Sequence, residues 1–245
     1  MELKVFEDYP ELSVAVATVI IECIRDNPHA VICFASGDTP RLAYQVVADM
    51  ARKENINMQQ CSFIGLDEWL GIPPDNAGSC HYFLQQLLFI PIGARPSQVY
   101  LFDAMTANEE EECEKMNNVI VAKGGIDLMI AGVGMNGHIG FNEPGTDIRS
   151  LAHVAVLDDT TRTVGQKYFR DKVVISKGIT VGLKQVMEAK TLLMMANGQK
   201  KATVIRKAVE ESISADFPAS LIQQHPHAIL MTDKEAASAL ATRIK

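Results

Sequence analysis

Residues 30–40 read AVICFASGDTP. Ala30 to Ala35 is an apolar run without polar alternation, the pattern of a strand buried on both faces. Ser36 to Pro40 is a turn of small polar residues, and a helix is expected from about Arg41. Strand, tight turn and helix make one βα unit, and the rest of the chain repeats the order. Upstream, Asp8 to Glu11 reads as a capping box with Pro10 in the first turn of a helix that runs to about Asp26. Downstream, strands are expected at Cys61–Leu66, Gln98–Phe102, Ile126–Ala131, Thr191–Ala196 and Ala228–Thr232. An acid-rich helix is expected from Asn108 to Lys123, solvated on one face. Buried strands alternating with helices predict an α/β fold with a mostly parallel sheet covered on both sides. No repeat, low-complexity tract or linker interrupts the pattern, so one domain is expected over residues 1–245.

The composition agrees. The chain has 245 residues, 47% hydrophobic and 22% charged, which argues against long disorder. Its net charge of −7 argues against nucleic acid as the main partner. No stretch approaches the ~20 apolar residues of a membrane helix, and the start, MELKVFEDYPEL, lacks the pattern of a signal peptide. The five cysteines include no C-x-x-C pair. They read as reduced, packed thiols of a cytoplasmic protein.

In open parallel sheets, ligands bind beyond the carboxyl ends of the strands. Here four polar clusters follow four strands: Ser36-Gly37-Asp38-Thr39-Pro40, Asp67-Glu68-Trp69, Gly132-Val133-Gly134-Met135-Asn136-Gly137-His138, and Asn197-Gly198-Gln199-Lys200-Lys201. They are expected to converge on one site.

Each cluster has its own chemistry. SGDTP presents free backbone N–H groups at a helix start, which suits an anion such as phosphate; the alternative is a plain N-cap and turn. It is not a P-loop, since no G-K-[ST] follows. Asp38 is awkward there, and its backbone rather than its carboxylate is expected to face the ligand. Lys200 and Lys201 sit where the helix dipole disfavours a cation, a cost that a bound phosphate would relieve. Of Asp67 and Glu68, neighbours on a strand, one is expected to enter the pocket. A carboxylate in a partly dry pocket can serve as a base. Trp69 is either a pocket wall or core.

The strongest signal is GVGMNGHIGFNEPG, residues 132–145. Its glycines allow close backbone approach to a ligand, and His138 with Glu143 forms an acid–base unit. Asn136 is placed to anchor the imidazole or a substrate hydroxyl. The other five histidines read as structural. No nucleophilic triad, dinucleotide fingerprint or metal-ligand cluster is present, so no metal or cofactor is expected.

In this order, SGDTP, GLDEW and GVGMNGHIGFNEPG resemble the glucosamine-6-phosphate deaminase (isomerase) family. Together with AVICFASGDTP, KGGIDLMIAGVGMNGHIGFNEPG and GITVGLKQVMEAK, they look closest to its galactosamine-6-phosphate isomerase branch. The resemblance runs from about Glu7 to Thr232. It implies a Rossmann-like three-layer α/β/α fold shared with ribose-5-phosphate isomerase A and CoA transferases. It also implies a metal-free reaction in which an amino-sugar 6-phosphate opens, isomerises from aldose to ketose and loses ammonia. Carried across, Asp67 matches the base that moves a proton between C2 and C1. His138 matches the ring-opening acid–base, with Glu143 as its partner. Ser36, Gly37, Asp38 and Thr39 match the phosphate loop, Lys201 its lysine, and Gly132 a glycine lining the sugar site.

There are departures. Asn136 stands where many members have aspartate. Lys167 stands where the family has a phosphate-binding arginine, with Arg162 nearby as a substitute. The basic pair that binds an allosteric activator in some members falls on His153 and Ala155, which implies that this site is missing. Two other readings compete: a sugar-phosphate lactonase of the related 6-phosphogluconolactonase kind, and a non-catalytic sugar-phosphate sensor. Regulators of the sensor kind carry a helix-turn-helix ahead of the fold, and a first strand at about Ala30 leaves no room for one. The expected partner is a small sugar phosphate; a homo-oligomer is admitted but not specified.

Overall fold

The computed structural model describes residues 1–241. Asp8 caps the first helix, α1 (Tyr9–Asp26), by accepting the Glu11 N–H at 2.9 Å. The Glu11 carboxylate accepts the Glu7 N–H at 2.7 Å, one residue before the cap, so only the Asp8 half of the expected box forms. On α1, Leu12, Val16, Ile20 and Ile24 recur at helical spacing and are all buried. They meet the next strand, β2 (Val31–Phe34), and the helix after it, α2 (Arg41–Lys53).

The remaining βα units follow as expected. Strands β1 (Glu2–Phe6), β3 (Ser62–Gly65), β5 (Val99–Tyr100), β6 (Leu128–Ala131), β9 (Thr191–Ala196) and β10 (Ala228–Asp233) join β2 in a seven-stranded sheet of order β1-β10-β9-β6-β2-β3-β5. Every pairing in it is parallel. Alternation along β2 serves both faces: Val31, Cys33 and Ala35 enter one core, Ile32 and Phe34 the other. The first core is closed by α4 (Glu109–Ala122), α6 (Leu183–Glu188) and α7 (Ala202–Glu210), the second by α1, α2 and the short α3 (Cys80–Leu84) with its π-helical extension to Phe89. The three-layer α/β/α arrangement stands.

Two features were not expected. Strand β1 (Glu2–Phe6) forms the sheet edge, paired with β10 from Glu2↔Ile229 to Phe6↔Asp233. It has only one neighbour and stays half exposed, so its residues carry little apolar signal. The strand at Ala30 is therefore the second, not the first. A second sheet of three antiparallel strands also forms, from β4 (Asp67–Trp69), β7 (His153–Val156) and β8 (Lys177–Thr180). Its register pairs Trp69 with Gly178, a contact that no local pattern announces. A third apolar cluster, around Trp69, Phe141 and Phe169, packs under it.

The chain leaves β2 in one direction, through β3 to β5, and returns at β6 on its other side. This reversal between β2 and β6 is the point where parallel sheets open a crevice at their carboxyl ends. Among the described residues, no helix is long and apolar enough to cross a membrane.

Candidate active site

One cavity occupies that crevice, and all four expected clusters reach it. After β2, Ser36, Gly37, Asp38 and Thr39 line one side. Gly37 has φ 111°, a backbone state open chiefly to glycine. After β6 come Gly132 and His138; Asp67 enters at the start of β4, and Lys201 from the turn after β9. Lys167, from the 3-10 turn Gln166–Tyr168, completes the cationic side. Lys200 is exposed and outside the lining, and Arg162 lies outside it in an ion pair with Asp159. The substitute role considered for Arg162 therefore has no geometric support.

Asp67 and Glu68 separate as strand alternation requires. The Asp67 side chain faces the cavity, and its Oδ1 is screened from solvent without a hydrogen-bond partner. Burial, helped by the nearby Glu68 charge and opposed by the Cys80 thiol, pushes its pKa up to about 7. Glu68 turns away and accepts the backbone N–H groups of Trp69, Cys80 and His81 at 2.8, 2.9 and 2.7 Å. It thus pins the start of α3 to β4. Trp69 fills both of its expected roles: it is 5% exposed, packs on Phe141 at 4.5 Å and walls the cavity.

His138 lies over Gly134, where an added Cβ would fall 2.3 Å from its Nε2. Its Nδ1 is 3.0 Å from the Thr161 hydroxyl and 3.4 Å from Glu143. With Nδ1 engaged, Nε2 is the nitrogen left for proton exchange. Asn136 does not touch the ring, contrary to expectation. Its Nδ2 donates to Glu143 at 2.8 Å, and its Oδ1 accepts the His138 backbone N–H at 3.3 Å. Both ends of the amide are thereby occupied, by the Glu143 carboxylate and by the backbone of the turn through Gly137, whose φ is 88°. Neither Asn136 nor Glu143 lines the cavity. Burial raises the Glu143 pKa, but hydrogen bonds from His138, Thr161 and Asn136, with the His138 charge, outweigh it and hold the carboxyl below its ordinary value.

The sequence reasoning missed Thr161, which lies on α5 (Asp159–Gly165) and is 4% exposed. Nothing in DDTTRT distinguishes it from a helix-surface threonine.

The Lys201 ammonium donates at 2.5 Å to the carbonyl of Val133, in the glycine-rich stretch that carries His138. Burial, with Lys167 adding repulsion, lowers its pKa to about 8. Lys167 is 2.9 Å from the Asp38 carboxylate. Burial opposes its charge, but the hydrogen bond to Asp38 and the charges of Tyr168 and Asp38 keep its pKa above the ordinary lysine value. The Asp38 carboxylate is therefore part of the cationic cluster rather than turned away from it. Around Gly132, an added Cβ would meet nothing within 4 Å, which leaves the floor of the cavity open. The arrangement joins a raised carboxylate, an oriented imidazole and an anion grip, the equipment for proton transfer on a phosphorylated substrate.

Comparison with known proteins agrees with that chemistry. Residues 9–231 match a family model described as glucosamine-6-phosphate isomerases/6-phosphogluconolactonase. Glucosamine-6-phosphate deaminase 1 of Bacillus subtilis (strain 168) is 34% identical over 239 residues, covering 97% of this chain and 99% of that protein. The glucosamine-6-phosphate deaminase of Bacillus velezensis is 36% identical over 231 residues, covering 94% and 95%. Among solved structures, a monomeric glucosamine-6-phosphate deaminase superposes with a TM-score of 0.95 at 33% identity, over 98% of this chain and all of that one. The 6-phosphogluconolactonase of Trypanosoma brucei shares the fold, with a TM-score of 0.78 at 19% identity over 98% of each chain.

Proposed function

This chain belongs to the glucosamine-6-phosphate isomerase family, and from that premise we propose that it converts an amino-sugar 6-phosphate and water into a ketohexose 6-phosphate and ammonia. Glucosamine 6-phosphate is the substrate in the names of the full-length relatives. Galactosamine 6-phosphate is included because segments of this chain resemble that branch. The observation that carries the reading is that Asp67, His138 and Lys201 face one cavity from three separate segments of the chain.

The reaction divides among these groups. The Ser36–Thr39 loop, Lys201 and Lys167 hold the phosphate, so that a part of the substrate that does not react fixes the part that does. His138, through Nε2, moves the proton between the anomeric hydroxyl and the ring oxygen, which opens the ring. Glu143 and Thr161 hold Nδ1, and Asn136 holds Glu143; Gly132 leaves room for the open chain. Asp67 takes the proton from C2, and the electron pair passes to the C1–C2 bond as the carbonyl oxygen gains a proton. Return of the proton to C1 gives an imine at C2. Water adds to that carbon and ammonia leaves, which yields the ketone. A buried base of pKa near 7 suits the C–H step, because it is ionised near neutrality and still basic.

The test is ammonia release, with formation of the ketohexose 6-phosphate, from each of the two hexosamine 6-phosphates; the ratio of kcat/KM values assigns the preferred C4 configuration. Hydrolysis of a 6-phosphogluconolactone with no ammonia from either amino sugar would overturn the proposal.

A further inference from the structure

Asp38 places a carboxylate inside a loop otherwise suited to an anion. An aspartate just ahead of a helix ordinarily turns back to cap its first N–H groups. At α2 no side chain makes a cap bond, and the cap position is Pro40. The Asp38 carboxylate reaches outward instead: one oxygen is 2.9 Å from the Lys167 ammonium and the other 3.6 Å from the Arg41 guanidinium. The structural ties of Asp38 run through its backbone carbonyl, which accepts the Tyr9 hydroxyl at 3.0 Å and the Arg41 N–H at 3.3 Å. Its side chain is 57% exposed, as is half of Lys167, so the ion pair contributes little to folding. Its local effect is larger. Lys201 and Lys167 bring two positive charges into the cavity lining, with Arg41 outside it, and Asp38 offsets the charge of Lys167.

We propose that Asp38 is a resident counter-ion of the phosphate site, which competes with the substrate phosphate for Lys167 and so limits affinity for the phosphorylated end. This rests on the reading of the cavity as a sugar-phosphate site. A phosphate dianion in the Ser36–Thr39 loop meets a like charge on the loop itself, and Lys167 must divide its N–H groups between the two. The consequence is a weaker grip on substrate and product alike, which favours release of the ketose phosphate at the expense of KM.

The experiment compares the wild-type chain with Asp38→Asn and Asp38→Glu, by calorimetric titration of inorganic phosphate and by steady-state kinetics on glucosamine 6-phosphate. Asp38→Asn is expected to bind phosphate about three- to tenfold more tightly and to lower KM by a similar factor, with no rise in kcat. Asp38→Glu, which keeps the charge, is expected to bind phosphate no more tightly than the wild type. In a Lys167→Met background, the gain from Asp38→Asn is expected to fall below half. Equal or weaker phosphate binding by a well-folded Asp38→Asn overturns the proposal and makes Asp38 a support of the loop. Absence of phosphate binding in all variants overturns the site reading and this proposal with it. Phosphate binding without ammonia release removes the proposed reaction, while the titrations still decide the role of Asp38.

Discussion

The hydroxyl of Thr161 stands 3.0 Å from Nδ1 of His138, across 23 residues of sequence and on a different element. With Glu143 at 3.4 Å, it leaves the imidazole one free nitrogen and one orientation. Thr161→Val keeps the shape and removes the hydrogen bond. It is expected to lower kcat about two- to tenfold with KM nearly unchanged, the scale of one neutral hydrogen bond. Steady-state kinetics beside a thermal melt checks this; unaltered kcat would leave Thr161 a packing residue.

Asp67 ties activity to pH. As a base it must be ionised, so kcat/KM is expected to fall as pH drops below about 7. Asp67→Asn should cost about 10²-fold or more in kcat. Stability gives an independent readout. Burial raises the folded-state pKa from 3.8 to about 7, so the folded form holds the proton more tightly than the unfolded chain. Stability from this group is complete below pH 4 and is lost as pH rises through 7. Asp67→Asn carries no such loss: its Tm is expected to exceed that of wild type at pH 8 and to match it at pH 4. Parallel melting curves across that range would contradict the burial argument.

Lys201 has the opposite sign. Its folded-state pKa, lowered from 10.5 to about 8, means that part of the population is neutral at pH 8.5. A bound phosphate restores the charge. Binding of inorganic phosphate at pH 8.5 is expected to take up roughly half to one proton, read as a buffer-dependent enthalpy in calorimetry. The uptake should vanish in Lys201→Met. Buffer-independent enthalpies in the wild type would place the phosphate away from this ammonium.

Two glycines two residues apart predict different failures. At Gly132 an added Cβ meets no protein atom within 4 Å, so Gly132→Ala is expected to fold normally and raise KM by obstructing the sugar. At Gly134 the same methyl falls 2.3 Å from the His138 ring, so Gly134→Ala is expected to displace the imidazole and depress kcat. A common effect of both changes on KM alone would argue that the ring can move aside without loss.

The sequence by itself determined the βα framework and the convergence of its strand-end loops. Continuous apolar runs such as VICF and LMIA can be buried only between helices, and a parallel sheet then brings the turns that follow them to one edge. SGDTP, the carboxylate after β3, the glycine-rich histidine loop and Lys201 were legible for that reason: each chemistry lies in a contiguous stretch beside its strand. Tertiary structure alone decided the rest. The small antiparallel sheet joins Asp67 to Thr180 and His153, partners set by chain crossings rather than by local periodicity. Edge strand β1 is held by backbone pairing, which almost any residues can supply. The position of Asn136 behind Glu143, the hydroxyl of Thr161 on His138, and the turn of Asp38 toward Lys167 instead of its own helix all depend on side-chain directions in space. Spacing along the chain encodes which residues share an element; it does not encode which side chains meet between elements.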